Sequence, residues 1–259
     1  MIGCLGAVLI IGAWILIKSL IGAGIDYANY KSEEHKINQE NDKRETLFIK
    51  YLSVMSAKIA KADGTVSDIE RTQFYDAFHR LGFSSEKISV CKEYFQRGLD
   101  SDKSIFNTAY EFKSKFTLDS ERPLRELLYH VLCYISLADE WITNEELYIL
   151  KRLPEHLEIS KDFFIAFCND LGIDPNSKKD QKVGSYQQKS DVDPYEILGV
   201  SRELSDDELK KAYHEKVRNY HPDILRGKGV PEEMLSFANE EMAKINEAWA
   251  QIKEERHIS

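Results

Sequence analysis

The sequence predicts an all-α protein, and three observations carry that prediction. Apolar residues recur at intervals of three and four from Thr46 to Gly172, the period of helices that bury one face against each other. No proline precedes Pro123, and no stretch sustains the period-two alternation of a half-buried strand. Beyond residue 192, two long stripes at helical spacing are joined by a short loop, the pattern of an antiparallel helical hairpin. With 42% hydrophobic, 31% charged and 11% aromatic residues among 259, there is apolar material for a packed core of one or two domains plus extensions. A formal net charge of −9 argues against bulk nucleic-acid binding, which needs a basic footprint.

The first element is the run MIGCLGAVLIIGAWILIKSLIGAG, uncharged over residues 2–17. A helix over residues 1–25 at about 1.5 Å per residue would span about 37 Å, against a hydrocarbon core of about 30 Å. Residues 1–30 are therefore read as a transmembrane helix, with Lys18 near one end, where its ammonium can snorkel to the interface. A cleaved signal peptide competes through the small residues Gly22, Ala23 and Gly24, but no basic residue precedes the apolar run. Cys4 stands too early for a lipoprotein signal. Lys31, Lys36, Lys43 and Arg44 flank the C-terminal side and no Lys or Arg the other, which places the rest of the chain in the cytoplasm. Gly3 with Ala7, Ser19 with Ala23 and Gly24 with Ala28 are spaced four apart. That spacing permits a homodimer through this helix; the abundance of Gly and Ala in membrane helices explains it equally well.

Residues 31–45 form a juxtamembrane segment and residues 46–172 a helical body. Its stripes are Leu47, Tyr51, Leu52, Met55 and Ile59; then Ile105, Ala109, Phe112 and Phe116; then Leu124, Leu127, Leu128, Val131, Leu132 and Ile135. One pattern occurs twice, as ADGTVSDIE over 62–70 and ADEWITNEE over 138–146. Ser67 with Glu70 and Thr143 with Glu146 fit capping boxes that open new helices, with Val66 and Ile142 as the preceding staples. Alternatively, Asp63, Glu70, Asp139 and Glu146 would converge on a divalent cation if the two turns lay side by side. Neither loop has EF-hand spacing, so capping is the preferred reading and no metal site is assigned. Cys91, Cys133 and Cys168 lie among apolar neighbours without a C-x-x-C pair, as reduced core thiols do.

Residues 173–191 are polar, contain Pro, Gly and Ser, and are nearly free of large aliphatics; they read as a flexible linker. Residues 192–259 form the last module. DPYEILGV opens it with a turn of helix at Pro194–Leu198, and Ser205 with Glu208 makes a further capping box. The next helix has an apolar face of Leu209, Ala212, Tyr213, Val217 and Tyr220. Its other face carries Lys210, His214 and Arg218 at steps of four, with Lys211 and Lys216 beside them. Pro222 stops it. After a loop with Gly227 and Gly229, Pro231 begins a third helix with the stripe Met234, Phe237, Ala238, Glu241 or Met242, Ile245, Ala248 or Trp249, and Ile252.

The two ADG/ADE turns and their stripes resemble the TerB (tellurite-resistance) family, which implies a bundle of roughly seven helices. DPYEILGV, KKAY, HPD and KINEAWAQI, in that order over 193–259, resemble the J domain of DnaJ-type co-chaperones. That resemblance implies a DnaK-type chaperone as partner, touched by the HPD tripeptide, which stimulates its ATP hydrolysis, and by basic residues of the preceding helix. Carried over, the contact set is Lys210, Lys211, Tyr213, His214, Arg218, His221, Pro222 and Asp223. Pro222 would present His221 and Asp223 at low entropic cost, and the basic face would steer an acidic partner.

Two residues depart from the usual J-domain pattern. Glu215 and Ile224 stand where bases are usual, which trims the positive patch. The Gly/Phe-rich and cysteine-rich segments of full-length DnaJ are absent. The order of parts, and the loop ILRGKGVPEEM, longer than is usual after HPD, resemble the bacterial DjlA family of membrane-anchored DnaJ-like proteins. The implied function is that of an inner-membrane, single-pass co-chaperone that is not itself an enzyme, needs no cofactor and acts on unidentified clients. The alternative is a stress-sensing or metal-binding membrane scaffold in which the TerB-like body acts and the J domain is secondary. No phosphate loop, nucleophile elbow or metalloprotease motif is present.

Overall fold

The computed structural model describes residues 31–32, 35–64, 66–118, 121–137, 140–183 and 193–258. Residues 1–30, where the sequence places a membrane helix and a dimer contact, lie outside the described residues. Among the described residues no helix is long and apolar enough to cross a membrane. The chain divides into two units, Met1–Lys43 and Arg44–Ser259. In the first, residues 35–43 are helical.

The second unit is mostly helical. Its first part holds seven α-helices among the described residues: α1 (44–60), α2 (Asp68–Arg80), α3 (Ser85–Asp100), α4 (Ile105–Lys115), α5 (Arg122–Ile135), α6 (Asn144–Leu157) and α7 (Asp162–Leu171). Side-chain caps start four of them. Ser67 and Thr143 accept from the Glu70 and Glu146 amides and receive the reciprocal glutamate bonds, as their capping-box spacing predicts. Ser84 and Ser104 accept from the Lys87 and Asn107 amides at α3 and α4.

Helix α5 is the axis of the bundle. Eleven of its 14 residues are buried, Arg125 and Glu126 among them, and a helix apolar on nearly every side is stable only when surrounded. Its Leu124 and Leu128 share one core with Phe48, Leu52, Met55, Phe78, Phe95, Phe112, Leu150 and Leu157 from the other helices, each fully buried. The predicted stripes are thus the core. Cys91, Cys133 and Cys168 are buried free thiols. Burial pushes the Cys91 thiol up to about 11 and the Cys168 thiol to about 12, so neither is a reactive thiolate.

The period-two test found no strand, yet two short ones exist. β1 (Trp141–Ile142) pairs antiparallel with β2 (Gln181–Lys182), with Trp141 opposite Lys182 and Ile142 opposite Gln181. A two-residue ladder is too short to show alternation. It ties down the first half of the stretch read as a linker. The Lys151 Nζ donates to Asn176 Oδ1 at 2.8 Å, and the Asn144 amide to Asp180 Oδ1 at 3.0 Å. Residues 184–192 lie outside the described residues.

The last part holds α8 (Pro194–Leu198), α9 (Asp206–Tyr220), α10 (Pro222–Arg226), a 3₁₀ turn (Glu232–Met234) and α11 (Leu235–Arg256). α9 and α11 form the expected hairpin around a small core of Tyr195, Leu198, Leu209, Tyr220, Ile245, Trp249 and Ile252. Ser205 and Glu208 make the third capping box. Pro231 begins the 3₁₀ turn, and α11 starts four residues later.

This hairpin does not stand apart from the bundle. Leu225, Val230, Met234, Leu235 and Ala238, which come after the HPD tripeptide, are buried within the bundle's core and not within the hairpin's own. Full burial of each large apolar side chain contributes about 1.5–3 kcal/mol. Polar contacts frame the plug. Arg44 Nε donates to Lys228 O at 2.9 Å while its Nη2 reaches Glu121 Oε1 at 2.5 Å. Lys87 Nζ bridges Glu45 and Glu233 at 2.6 and 2.9 Å. Gly229 makes the close approach feasible: it has φ +82°, and a Cβ there would collide with Arg44 Cβ and the Glu45 amide nitrogen.

Candidate functional site

The HPD tripeptide forms a sharp corner between two helices. α9 ends at Tyr220, and His221 (φ −61°, ψ 130°) is at once its C-cap and the N-cap of α10. Pro222 both stops α9 and occupies the first position of α10, where its missing N–H costs nothing and its fixed φ suits the helix. The sequence shows the first role; the second turns the expected loop into a helical start. His221 Nδ1 accepts from the Asp223 amide at 3.2 Å, which leaves Nε2 as the protonated nitrogen of the neutral ring. The Leu225 amide donates to His221 O at 3.0 Å.

An ionic chain orders the residues beyond the corner. Arg226 Nη1 donates to Asp223 Oδ1 at 2.6 Å, and its Nε and Nη2 donate to the two Glu232 oxygens at 2.9 Å each. The Glu232 and Asp223 carboxylates raise the Arg226 guanidinium's pKa, and Arg226 in turn holds the Glu232 carboxyl below its ordinary range. Asp223 therefore faces solvent in a fixed orientation.

The eight residues carried over by resemblance fall on one continuous edge, α9 and the corner after it. Lys210, Lys211, His214, Arg218, His221 and Asp223 are exposed, while Tyr213 and Pro222 are half-buried. The His221 and Asp223 side chains are 49% and 74% exposed, so the bundle contact leaves this edge open. Tyr213 serves the hairpin as well. Its ring stacks on Trp249 at 4.9 Å, and its hydroxyl donates to Asn246 Oδ1 at 3.0 Å. Glu215 is exposed beside His214, and Ile224 is 40% exposed beside Asp223.

Lys216 does not join the outward basic face as its sequence position suggested. It turns inward, and Nζ donates to Ile197 O at 2.5 Å. Burial lowers its pKa, against the pull of Glu126 and Glu241. On a helix wheel Lys216 lies between the two faces, and the neighbouring α8 decides which it takes.

The repeat turns of the bundle do come together. Asp63, Glu70, Thr143 and Glu146 line one cavity of about 80 Å³ with Ser56, Gln73 and Ser136. The Glu70 and Glu146 carboxylates accept from their cap amides at 2.6 and 2.9 Å. Asp139 lies outside the described residues. Among the described residues no three His, Cys, Asp or Glu side chains gather as a metal site.

Sequence reasoning missed one pair that bears on the corner. Tyr220 is buried, and its hydroxyl donates to Glu126 Oε2 of α5; Arg122 Nε donates to the other oxygen at 3.1 Å. The signal was present: Glu126 is an acid inside the apolar run Leu124–Ile135, and a buried acid needs a donor.

Two family models match the chain, one described as tellurite resistance protein TerB over residues 51–168 and one as DnaJ domain over residues 193–258. Curated relatives are similar across both. "Co-chaperone protein DjlA" of Vibrio cholerae is 24% identical over 90% of this chain and 87% of the relative. The proteins of that name from Coxiella burnetii and Aliivibrio fischeri are 24% and 25% identical, over 77% and 83% of this chain and 74% and 81% of their own lengths. No solved structure matches.

Proposed function

Because this chain is a TerB–DnaJ protein of the DjlA co-chaperone type, we propose that it recruits a DnaK-type chaperone and stimulates its ATP hydrolysis through the His221-Pro222-Asp223 corner. The observation that carries this reading is the open edge. Lys210, Lys211, His214 and Arg218 line the exposed side of α9. At its end, Asp223 is held outward by Arg226. A row of cations steers an acidic surface and speeds encounter, and a corner pre-set by Pro222 loses little entropy on contact. Tyr213 shapes the edge from the α11 side.

In the same reading residues 1–30 anchor the chain in the bacterial inner membrane, with residues 46–172 and 192–259 in the cytoplasm, where the chaperone and its ATP are found. The bundle then holds or selects clients. Adding the full chain in detergent to a DnaK-type chaperone should raise steady-state ATP hydrolysis several-fold, with saturation and a decline as salt is raised. A folded full chain that leaves the rate unchanged at every concentration would overturn the reading.

A further inference from the structure

The corner stands with both feet in the bundle. Immediately before it, the Tyr220 hydroxyl hydrogen-bonds Glu126 of α5. Two residues after it, Leu225 is fully buried in the bundle's core, and the Val230 amide folds the loop back onto Leu225 O at 3.1 Å. Only His221, Pro222, Asp223 and Ile224 lie between these anchors. We propose that Glu126, a residue of the helical bundle, is a positioning residue for the chaperone-facing corner, acting through Tyr220. The proposal rests on the reading of the corner as the chaperone contact.

The geometry favours this role over a purely structural one. Tyr220 is the last residue of α9, so its position sets where the helix stops and where His221 departs from it. Its ring belongs to the hairpin's small core, but its hydroxyl reaches across to α5. A single side chain thereby couples the end of α9 to the bundle axis. Glu126 is held in turn by Arg122, one turn earlier on α5. Burial pushes up both the Glu126 carboxyl and the Tyr220 phenol, so the phenol keeps its proton and donates throughout the physiological range.

The test is a titration of chaperone ATPase with full-length chain, reading plateau and half-saturation separately. Glu126→Ala removes the acceptor and should lower the plateau about tenfold, the factor implied by one lost buried hydrogen bond. Half-saturation should change little, because Lys210, Lys211 and Arg218 remain exposed. Partial unfolding would do the reverse, since a smaller folded fraction shifts half-saturation and leaves the plateau. Glu126→Gln keeps an acceptor oxygen and should restore most of the plateau. Tyr220→Phe, which removes one hydroxyl, should match Glu126→Ala, and the double variant should be no worse than either.

Lys113→Ala, which breaks a bundle ion pair to Glu158 at 2.5 Å, should leave both parameters unchanged. A Glu126→Ala plateau equal to wild type, or a double variant that loses the product of the single losses, would overturn the proposal. Absence of stimulation by wild type would instead strike the chaperone reading itself.

Discussion

Replacing His221 by Gln will remove stimulation of a DnaK-type ATPase and leave the chain folded. The His221 side chain is half exposed and makes one hydrogen bond, accepting from the Asp223 amide. It belongs to neither core cluster. Loss of such a cap costs about 1 kcal/mol, against a typical stability of about 5–15 kcal/mol. The thermal midpoint should therefore move by only a few degrees. The functional loss is of another size. The contact proposed for this pre-organised corner would be worth about 2 kcal/mol or more, which is more than tenfold in affinity or rate. Glutamine has neither the imidazole ring nor its fixed donor. Unfolding curves and ATPase titrations on the same preparations separate the two effects, and retention of full stimulation would assign the contact elsewhere.

The second large effect is on stability. Leu225→Ala should destabilise the second unit by about 2–5 kcal/mol, the range for truncating a fully buried leucine. For a folded unit of this size that corresponds to a fall in midpoint of very roughly 5–15 °C. The reason is the location of Leu225. It is fully buried in the bundle's core, although it is only two residues past an exposed aspartate. Were the hairpin merely tethered, Leu225 would be a loop residue near solvent, and its truncation would cost less than about 0.5 kcal/mol. Thermal unfolding by circular dichroism distinguishes the two outcomes. Added protease should also cut near residues 225–235 faster in the variant.

The helices were legible in the sequence because their signals are local. Stripes at three and four, three capping boxes and a short helix bounded by Pro194 and Gly199 each need only neighbours within a dozen residues to be read. The eight edge residues came from the J-domain resemblance, and the structure places them on α9 and the corner after it, six of them exposed. The docking was not. Leu225 and Val230 fit an ordinary hairpin loop in sequence and Met234 the hairpin's own apolar stripe, yet all three are buried in the bundle's core, whose other members lie on helices far earlier in the chain. Lys216 and Tyr220 were misplaced or undervalued because each is settled by a neighbour from another element, Ile197 O and Glu126 respectively. Two-residue strands carry no period to detect, so β1 and β2 and the anchoring of residues 173–183 were also beyond reach.

The most direct test is to ask which surface of the chain touches the chaperone. A photo-reactive benzophenone amino acid would replace His214 on the open face of α9 or, in a second preparation, the exposed Tyr148 on α6 of the bundle. Each full-length chain would be irradiated with a DnaK-type chaperone and ATP, and the adducts mapped by mass spectrometry. The expected result is an adduct from position 214 to an acidic surface of the chaperone's ATPase region, weakened by high salt, and none from position 148. An adduct from 148 with none from 214 would contradict the assignment of α9 and its corner as the chaperone-facing edge.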